Sequence, residues 1–207
     1  MATVPASENA PARSTSWGAC ARTGALLIAD EVQSGSGRTG PFLYSQTLGL
    51  TPDLIALGKA LGAGVPVGVA MFSNAVAAAA TPGDHGSTYG GNLLACRAAL
   101  VFLEALSSPT LTASMAAASD RLFSGLRAMQ LRLPIIKDVR GAGLMVGVDL
   151  AFDAAPVVAA AFERGLLINR TSTTVVRLLP PYIITTADVD AALPLLEDAI
   201  VAGGTAQ

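Results

Sequence analysis

Short apolar runs separated by glycine, serine and proline dominate the first part of the chain, and longer segments with helical periodicity follow. The run Ala25–Ala29 lies between a glycine and a Ser-Gly-Ser-Gly cluster and ends in Asp30 and Glu31, which is typical of a buried strand in a parallel sheet. Lys59 stands just past a second short apolar strand, and Val65–Phe72 is predicted to form a third. Open α/β sheets bind ligands at the carboxyl ends of their strands, so the two acids are candidates for a site.

The middle of the chain is predicted to be helical. Asn92 is a suitable N-cap for a helix over Leu93–Leu106, and a longer helix is expected over Thr110–Leu131, before Pro134. Shorter elements follow: strands at Ile135–Ile136, Leu144–Leu150, Leu166–Ile168 and Val175–Leu179, a helix from about Ala154 to Arg164, and a last helix with Val189, Leu193, Leu196 and Ile200 on one face.

This change of pattern predicts two domains, at 18–133 and 134–207. Residues 1–17 are rich in Ala, Ser, Pro and Thr and lack the apolar core of a signal peptide, so we expect a disordered tail. The whole chain has 207 residues, of which 52% are hydrophobic and 14% charged, enough apolar material for a large core.

Composition excludes several classes of partner. The net charge of −2 gives no basic patch for nucleic acid or an anionic membrane, and no apolar run is long enough to span a membrane. Cys20 and Cys96 lie far apart, which favours reduced thiols in a cytoplasmic protein. His85 is the only histidine, so no metal site is expected.

Lys59 and Asp30 have residue types that suit one cofactor. A lysine in an apolar setting loses hydration, which favours a neutral amine that can attack an aldehyde, and the neighbouring glycines leave room for a flat ring. Asp30 could hold a proton on a heteroaromatic nitrogen, which would make pyridoxal phosphate a better electron sink. The alternatives are a surface lysine in a glycine-rich turn and an ordinary turn at a strand end.

Five blocks of sequence together resemble the class III pyridoxal-phosphate aminotransferases. They are Leu27–Gly40 with Asp-Glu-Val-Gln at 30–33, Pro52–Gly68 around Gly58-Lys59, His85–Asn92, Arg140–Met145, and Asn169–Pro181 with Arg177 before its two prolines. Their order and spacing follow the family from about Cys20 to near the C-terminus. Within the family the last block most resembles the acetylornithine enzymes, with the ornithine and 4-aminobutyrate enzymes as relatives.

The resemblance implies roles for five residues. Lys59 would bind the cofactor covalently and act as the catalytic base and acid, Asp30 would contact the ring nitrogen, and Gln33 the phenolic oxygen. Thr88 would reach the cofactor phosphate of a neighbouring subunit in a homodimer, and Arg177 would bind a substrate carboxylate. The alternatives are a solvated loop residue for Gln33, a helix-entry turn for Thr88 and a structural ion pair for Arg177.

The implied fold is α/β: the C-terminal part of the large domain of fold-type I pyridoxal-phosphate transferases, followed by a smaller α+β domain. The implied reaction is transfer of a terminal amino group, from N-acetylornithine to 2-oxoglutarate, in arginine biosynthesis. Family members carry about half of their large domain upstream of the Asp30 block, including a glycine- and serine-rich phosphate loop and an aromatic residue that stacks on the pyridine ring. Neither the phosphate loop nor the aromatic residue is recognisable in this sequence. A truncated gene or a wrongly assigned start codon would account for that difference from the family. The rival hypothesis is a non-catalytic fragment.

Overall fold

The computed structural model describes residues 18–20 and 22–205, so the predicted tail at 1–17 lies outside the described residues. The described chain packs as two compact units, one up to Ser108 and one from Pro109 onwards. This division differs from the boundary at 134 that the sequence pattern suggests. The reason is that the long helix before Pro134 contributes Leu122, Leu126 and Met129 to the core of the second unit.

The first unit is built on a three-stranded sheet. Its elements are β1 (Ile28–Asp30), α1 (Tyr44–Thr47), β2 (Leu54–Gly58), a 3₁₀ turn (Lys59–Gly62), β3 (Gly68–Phe72), α2 (Asn74–Ala77) and α3 (Leu93–Leu106). The strand order is β1-β2-β3, with β1 parallel to β2 and β3 antiparallel to β2. The predicted parallel pairing is therefore confirmed, and β3 begins three residues later than expected.

Asp53 fixes the start of the parallel pair. Its Oδ2 accepts a hydrogen bond of 2.8 Å from the backbone N–H of Leu27, and its own N–H donates to the Leu27 carbonyl at 2.9 Å.

The prediction that β1 is buried is wrong, because Ile28 is 66% exposed. β1 lies at the edge of the sheet, and its Ile28 side chain points to a face of the sheet that is not covered there.

The helix α3 has the predicted bounds and the predicted cap. The Asn92 side chain accepts a hydrogen bond of 2.9 Å from the N–H of Ala95, which satisfies one of the free donors at the helix start. Although α3 is rich in leucine and alanine, Ala95 is its one fully buried residue.

The second unit has a four-stranded antiparallel sheet with three helices. Its elements are α4 (Pro109–Arg132), β4 (Ile136–Ala142), β5 (Met145–Leu150), α5 (Ala155–Glu163), β6 (Asn169–Arg170), β7 (Val175–Leu178) and α6 (Thr186–Thr205), with strand order β4-β5-β7-β6. The expected helices are present, and the ends of α4 and α5 differ from the expected ones by one residue. The strand expected at Leu166–Ile168 is wrong, since pairing on that segment starts only at Asn169.

A single core joins the sheet and the helices of the second unit. Buried residues of α4 and α6, such as Leu126 and Ile200, pack with Val146, Val148 and Val176 of the central strands.

No single helix among the described residues is long and apolar enough to cross a membrane. The bent pair formed by α3 and α4 has the length and composition of a membrane span, by those two criteria alone. The described residues also contain no group of three acidic, cysteine or histidine side chains that could hold a metal ion.

Candidate functional site

The register of β1 and β2 brings Asp30 and Lys59 to the same edge of the first unit. Asp30 pairs with Ala56 across the parallel ladder, and Lys59 follows β2 directly after Gly58. Because both strands run in the same direction, their carboxyl ends meet at one edge. Asp30 and Lys59 thus stand at the same edge of the sheet, although 28 residues of chain separate them.

Lys59 is held in an unusual backbone conformation. Its φ of 48° lies in the left-handed region, and it opens the 3₁₀ turn Lys59–Gly62. Gly58 approaches the backbone so closely that a Cβ there would lie 3.2 Å from the carbonyl oxygen of Val67. The expectation of an apolar, buried setting for Lys59 is wrong in this structure, because the side chain is exposed at the end of the strand.

Asp30 and Gln33 lie on a turn that follows β1. Asp30 is exposed, and its Oδ1 accepts a hydrogen bond of 3.0 Å from the N–H of Val32. Gln33 is half-buried on the same turn. Both residues therefore lie within three positions of the carboxyl end of β1.

Glu31 is a residue whose structural importance the sequence analysis missed. It is only 3% exposed, and its carboxylate accepts hydrogen bonds from the hydroxyl of Ser34 and from the N–H groups of Tyr44 and Ser45. The signal in the sequence was an acid directly after a strand with a serine three residues later.

Thr88 lies in an exposed loop that leads from α2 to α3. The loop is organised locally, since Ser87 Oγ accepts from the N–H of Gly90 at 2.9 Å and the Asn92 amide donates to the Tyr89 carbonyl at 2.9 Å. Within the part of the chain that the structure describes, no hydrogen bond joins Thr88 to Asp30 or to Lys59.

Arg177 belongs to the second unit, on β7. It is half-buried, and its Nε donates to Asn169 Oδ1 at 3.4 Å. In the register of the sheet it stands opposite Gly147, which pairs on its other side with Arg140. Two guanidinium-bearing positions therefore flank a glycine in one row across the sheet.

Arg140 is tied into a network of carboxylates. Its guanidinium donates to Asp138 and Asp149, each at 3.0 Å, and Asp149 also accepts from the Thr174 hydroxyl at 2.8 Å. Burial acts to raise the pKa of Asp149, but the Thr174 hydrogen bond and the Arg140 charge outweigh it and hold that pKa below its ordinary value. Arg140 is thus a structural cation within the second unit.

An apolar cavity of about 320 Å³ also lies in the second unit. Its walls are mostly leucine, isoleucine and proline side chains from β7, α6 and the segment between them. Its one acidic residue, Asp188, accepts hydrogen bonds from the N–H and hydroxyl of Thr185 at the start of α6. None of the five predicted site residues lines this cavity.

Comparison with known families shows to which family the chain belongs. Residues 12–200 match the family model described as Aminotransferase class-III. This chain belongs to that family. The resemblance inferred from the sequence blocks is thereby confirmed, and with it the mixed α/β fold.

Individual class III aminotransferases match over most of this chain. It is 42% identical over 171 residues to the acetylornithine aminotransferase of Methanothermobacter thermautotrophicus, covering 83% of this chain and 44% of the relative. A solved acetylornithine aminotransferase from Elizabethkingia anophelis superposes with a TM-score of 0.84 at 31% identity, covering 93% of this chain and 52% of that one. The ornithine aminotransferase of Toxoplasma gondii was crystallised with partial occupancy of pyridoxal phosphate at its active site. It superposes with a TM-score of 0.83 at 34% identity, covering 90% of this chain and 45% of that one.

This class III aminotransferase chain therefore spans about half the length of the curated relatives it matches. The family depends on pyridoxal phosphate, and the Asp30–Lys59 edge has the chemistry that the cofactor needs. An accessible primary amine suits its aldehyde, and an accessible carboxylate suits its ring nitrogen.

Proposed function

We propose that this chain forms the lysine-bearing part of an aminotransferase that transfers a terminal amino group, with N-acetylornithine as donor and 2-oxoglutarate as acceptor. The observation that carries the proposal is the shared edge of Asp30 and Lys59, set by the parallel register of β1 and β2. The acetylornithine aminotransferases among the relatives support the choice of donor.

Each predicted residue has a defined task in this proposal. When bound, pyridoxal phosphate supplies an aldehyde and an electron-accepting ring. Lys59 would hold that aldehyde group through Nζ, with loss of water, and the same nitrogen would accept and donate the proton that transamination moves. Asp30 would favour the protonated form of the ring nitrogen, and Gln33 would donate to the phenolic oxygen.

Two further residues act on groups away from the ring. Arg177 holds a substrate carboxylate, for which its planar guanidinium is suited. Thr88 contacts the cofactor phosphate of the neighbouring subunit in a homodimer. Its exposed position in a loop leaves the hydroxyl accessible for such a contact.

The covalent role of Lys59 can be tested on the chain as it exists. Lys59 and Lys137 are its two lysines, so borohydride reduction in the presence of pyridoxal phosphate followed by peptide mapping has a simple readout. We expect the label on Lys59 in the wild type and in Lys137→Ala, and no label in Lys59→Ala. A label on Lys137, or none on either lysine in the presence of excess cofactor, contradicts the assignment and favours a non-catalytic fragment.

The donor is a separate question, because the ornithine aminotransferase neighbour favours ornithine as a second candidate. Turnover would be measured after co-expression with a polypeptide equivalent to the part of the relatives that this chain does not span. A higher kcat/KM for N-acetylornithine than for ornithine or 4-aminobutyrate is expected. The reverse order would replace the proposed donor while leaving the role of Lys59 intact.

A further inference from the structure

We propose that Glu31 is a positioning residue whose buried carboxylate fixes the turn after β1 and so holds Asp30 at the edge shared with Lys59. This inference rests on the proposed function for its catalytic meaning. The interactions that carry it lie entirely within the first unit and involve no cofactor.

The Glu31 carboxylate is buried and fully engaged. Its Oε1 accepts from the N–H of Ser45 at 2.6 Å, and its Oε2 accepts from the N–H of Tyr44 and the hydroxyl of Ser34, both at 2.9 Å. With 3% of the residue exposed, water cannot replace these donors. Hydrogen bonds to an ionised acceptor are about twice as strong as neutral ones, so these three bonds form a firm anchor.

Two segments of the chain meet at this carboxylate. Tyr44 and Ser45 are the first residues of α1, where the N-cap position is Leu43, a residue whose side chain has no oxygen to accept their bonds. Glu31 supplies that missing acceptor from 13 residues upstream. The turn after β1 and the start of α1 are therefore connected through one side chain.

The backbone around Glu31 transmits this anchoring to Asp30. The N–H of Glu31 donates to Ala56 on β2 and its carbonyl accepts from Gly35, both at 2.9 Å. A Cβ at Gly35 would lie 2.7 Å from that carbonyl, so the turn is closed tightly over Glu31. The same turn contains the bond from Val32 N–H to Asp30 Oδ1.

An amide cannot replace this carboxylate. Glutamine at 31 has one accepting oxygen, and its NH₂ group would face donors, either Ser45 N–H or the pair formed by Tyr44 and Ser34. One side of the anchor is lost in either orientation. The turn then loosens, and the contact between Val32 and Asp30 loosens with it.

Amide hydrogen exchange of the cofactor-free chain tests the proposal. In Glu31→Gln we expect exchange at Tyr44 or Ser45 and at Val32 to speed up about tenfold or more. Glu163→Gln, which changes an exposed glutamate at the end of α5, should leave all three amides unchanged. Ser34→Ala removes one donor of the anchor and should show a smaller change in the same direction, which covers the case in which Glu31→Gln does not fold.

The amide of Val32 separates positioning from simple support of α1. If Glu31→Gln and Ser34→Ala both speed up exchange at Tyr44 or Ser45 but leave Val32 unchanged, Glu31 only stabilises α1. That result overturns the proposal. Unchanged exchange at all three amides shows that the anchor itself is wrong.

A second measurement adds the cofactor and keeps the two proposals distinguishable. With pyridoxal phosphate bound to Lys59, Glu31→Gln should shift the pH at which the absorption of the bound cofactor changes, while the borohydride label stays on Lys59. If the Val32 amide exchanges faster in Glu31→Gln but the pH at which the cofactor absorption changes is the same as in wild type, Glu31 does not influence the cofactor through Asp30. That result overturns the catalytic part of the proposal. If the wild type takes up no label, the proposed function fails, and the exchange data still decide whether Glu31 holds Asp30.

Discussion

Three non-glycine residues of the described chain have a positive φ: Lys59 at 48°, Ser36 at 56° and Ala63 at 48°. Such conformations cost about 1–3 kcal/mol each and persist where the surrounding structure enforces them, often at functional sites. Lys59 is the first residue of the 3₁₀ turn Lys59–Gly62, and Ala63 follows its last residue. Lys59 and Asp30 stand out in the sequence because strand ends and glycine clusters are visible there.

What the sequence could not reveal at this scale is long-range bonding and exposure. The anchoring of Tyr44 and Ser45 by Glu31 joins residues 13 and 14 apart, and no local pattern encodes it. The exposure of Lys59 was missed for a similar reason, because an apolar neighbourhood in sequence does not fix what covers a side chain in space.

Asp30→Asn tests the proposed contact with the ring nitrogen. Asparagine keeps the size of the side chain but removes the negative charge that favours a protonated ring, so we expect kcat to fall about 100-fold or more with a much smaller change in KM. Steady-state kinetics of the co-expressed enzyme would measure this, with Asp198→Asn, an exposed change on α6, as the control. Equal kcat values for Asp30→Asn and wild type would remove Asp30 from the catalytic machinery.

At the scale of elements, helices were predicted better than strands. Periodicity and the Asn92 cap predicted the bounds of α3. Periodicity and Pro134 predicted both ends of α4 to within one residue. The β4 strand, expected only at Ile135–Ile136, runs through Ala142, because pairing with β5 continues across polar residues and a glycine. Strand length depends on a partner that local sequence does not specify.

The end of β4 gives a sharp test of that pairing. Gly141 has a φ of 143°, and a Cβ there would overlap the backbone carbonyl oxygen of Met145 on β5. Gly141→Ala should therefore lower the free energy of unfolding by about 3 kcal/mol or more. Gly165→Ala is the matched control, since its φ of 78° is also left-handed but no atom lies within 4 Å of the added Cβ, and about 1–2 kcal/mol is expected. Urea denaturation giving equal losses for the two variants would contradict the clash.

For the molecule as a whole, burial is uneven between the two units. The second unit has a continuous core in which Leu126, Val148 and Ile200 are fully buried. In the first unit all five residues of β3 are exposed, including Phe72 at 43%. Ile28, Leu54 and Phe72 form one row across that sheet, so two of its three members present apolar surface to solvent.

We expect the 207-residue chain to self-associate in solution, because large exposed apolar patches drive association. Size-exclusion chromatography with light scattering should show species larger than a monomer. Placing charges in the exposed row with Ile28→Lys and Phe72→Lys should shift the chain toward monomer. Leu131→Lys, at an exposed position on α4, should not. A monodisperse wild-type monomer would contradict the expectation.

The carboxylate network predicts a pH dependence for the second unit. In the unfolded chain Asp149 titrates near 3.8, and in the folded unit its pKa is lower. Between the two values the unfolded state binds more protons, so the free energy of unfolding falls as the pH drops through and below about 4. Urea midpoints between pH 7 and pH 3 should decrease less steeply for Asp149→Asn than for wild type. Identical slopes would show that Asp149 contributes nothing to acid sensitivity.

The parallel register of β1 and β2 also determines where the chain can change in length. A one-residue insertion inside β2 would turn each following side chain to the opposite face and move Lys59 away from Asp30. The turn at Gly49, where no atom lies within 4 Å of an added Cβ, has room for extra residues without disturbing either strand. Homologous chains should therefore vary in length around Gly49 and keep a fixed count from Asp53 to Lys59.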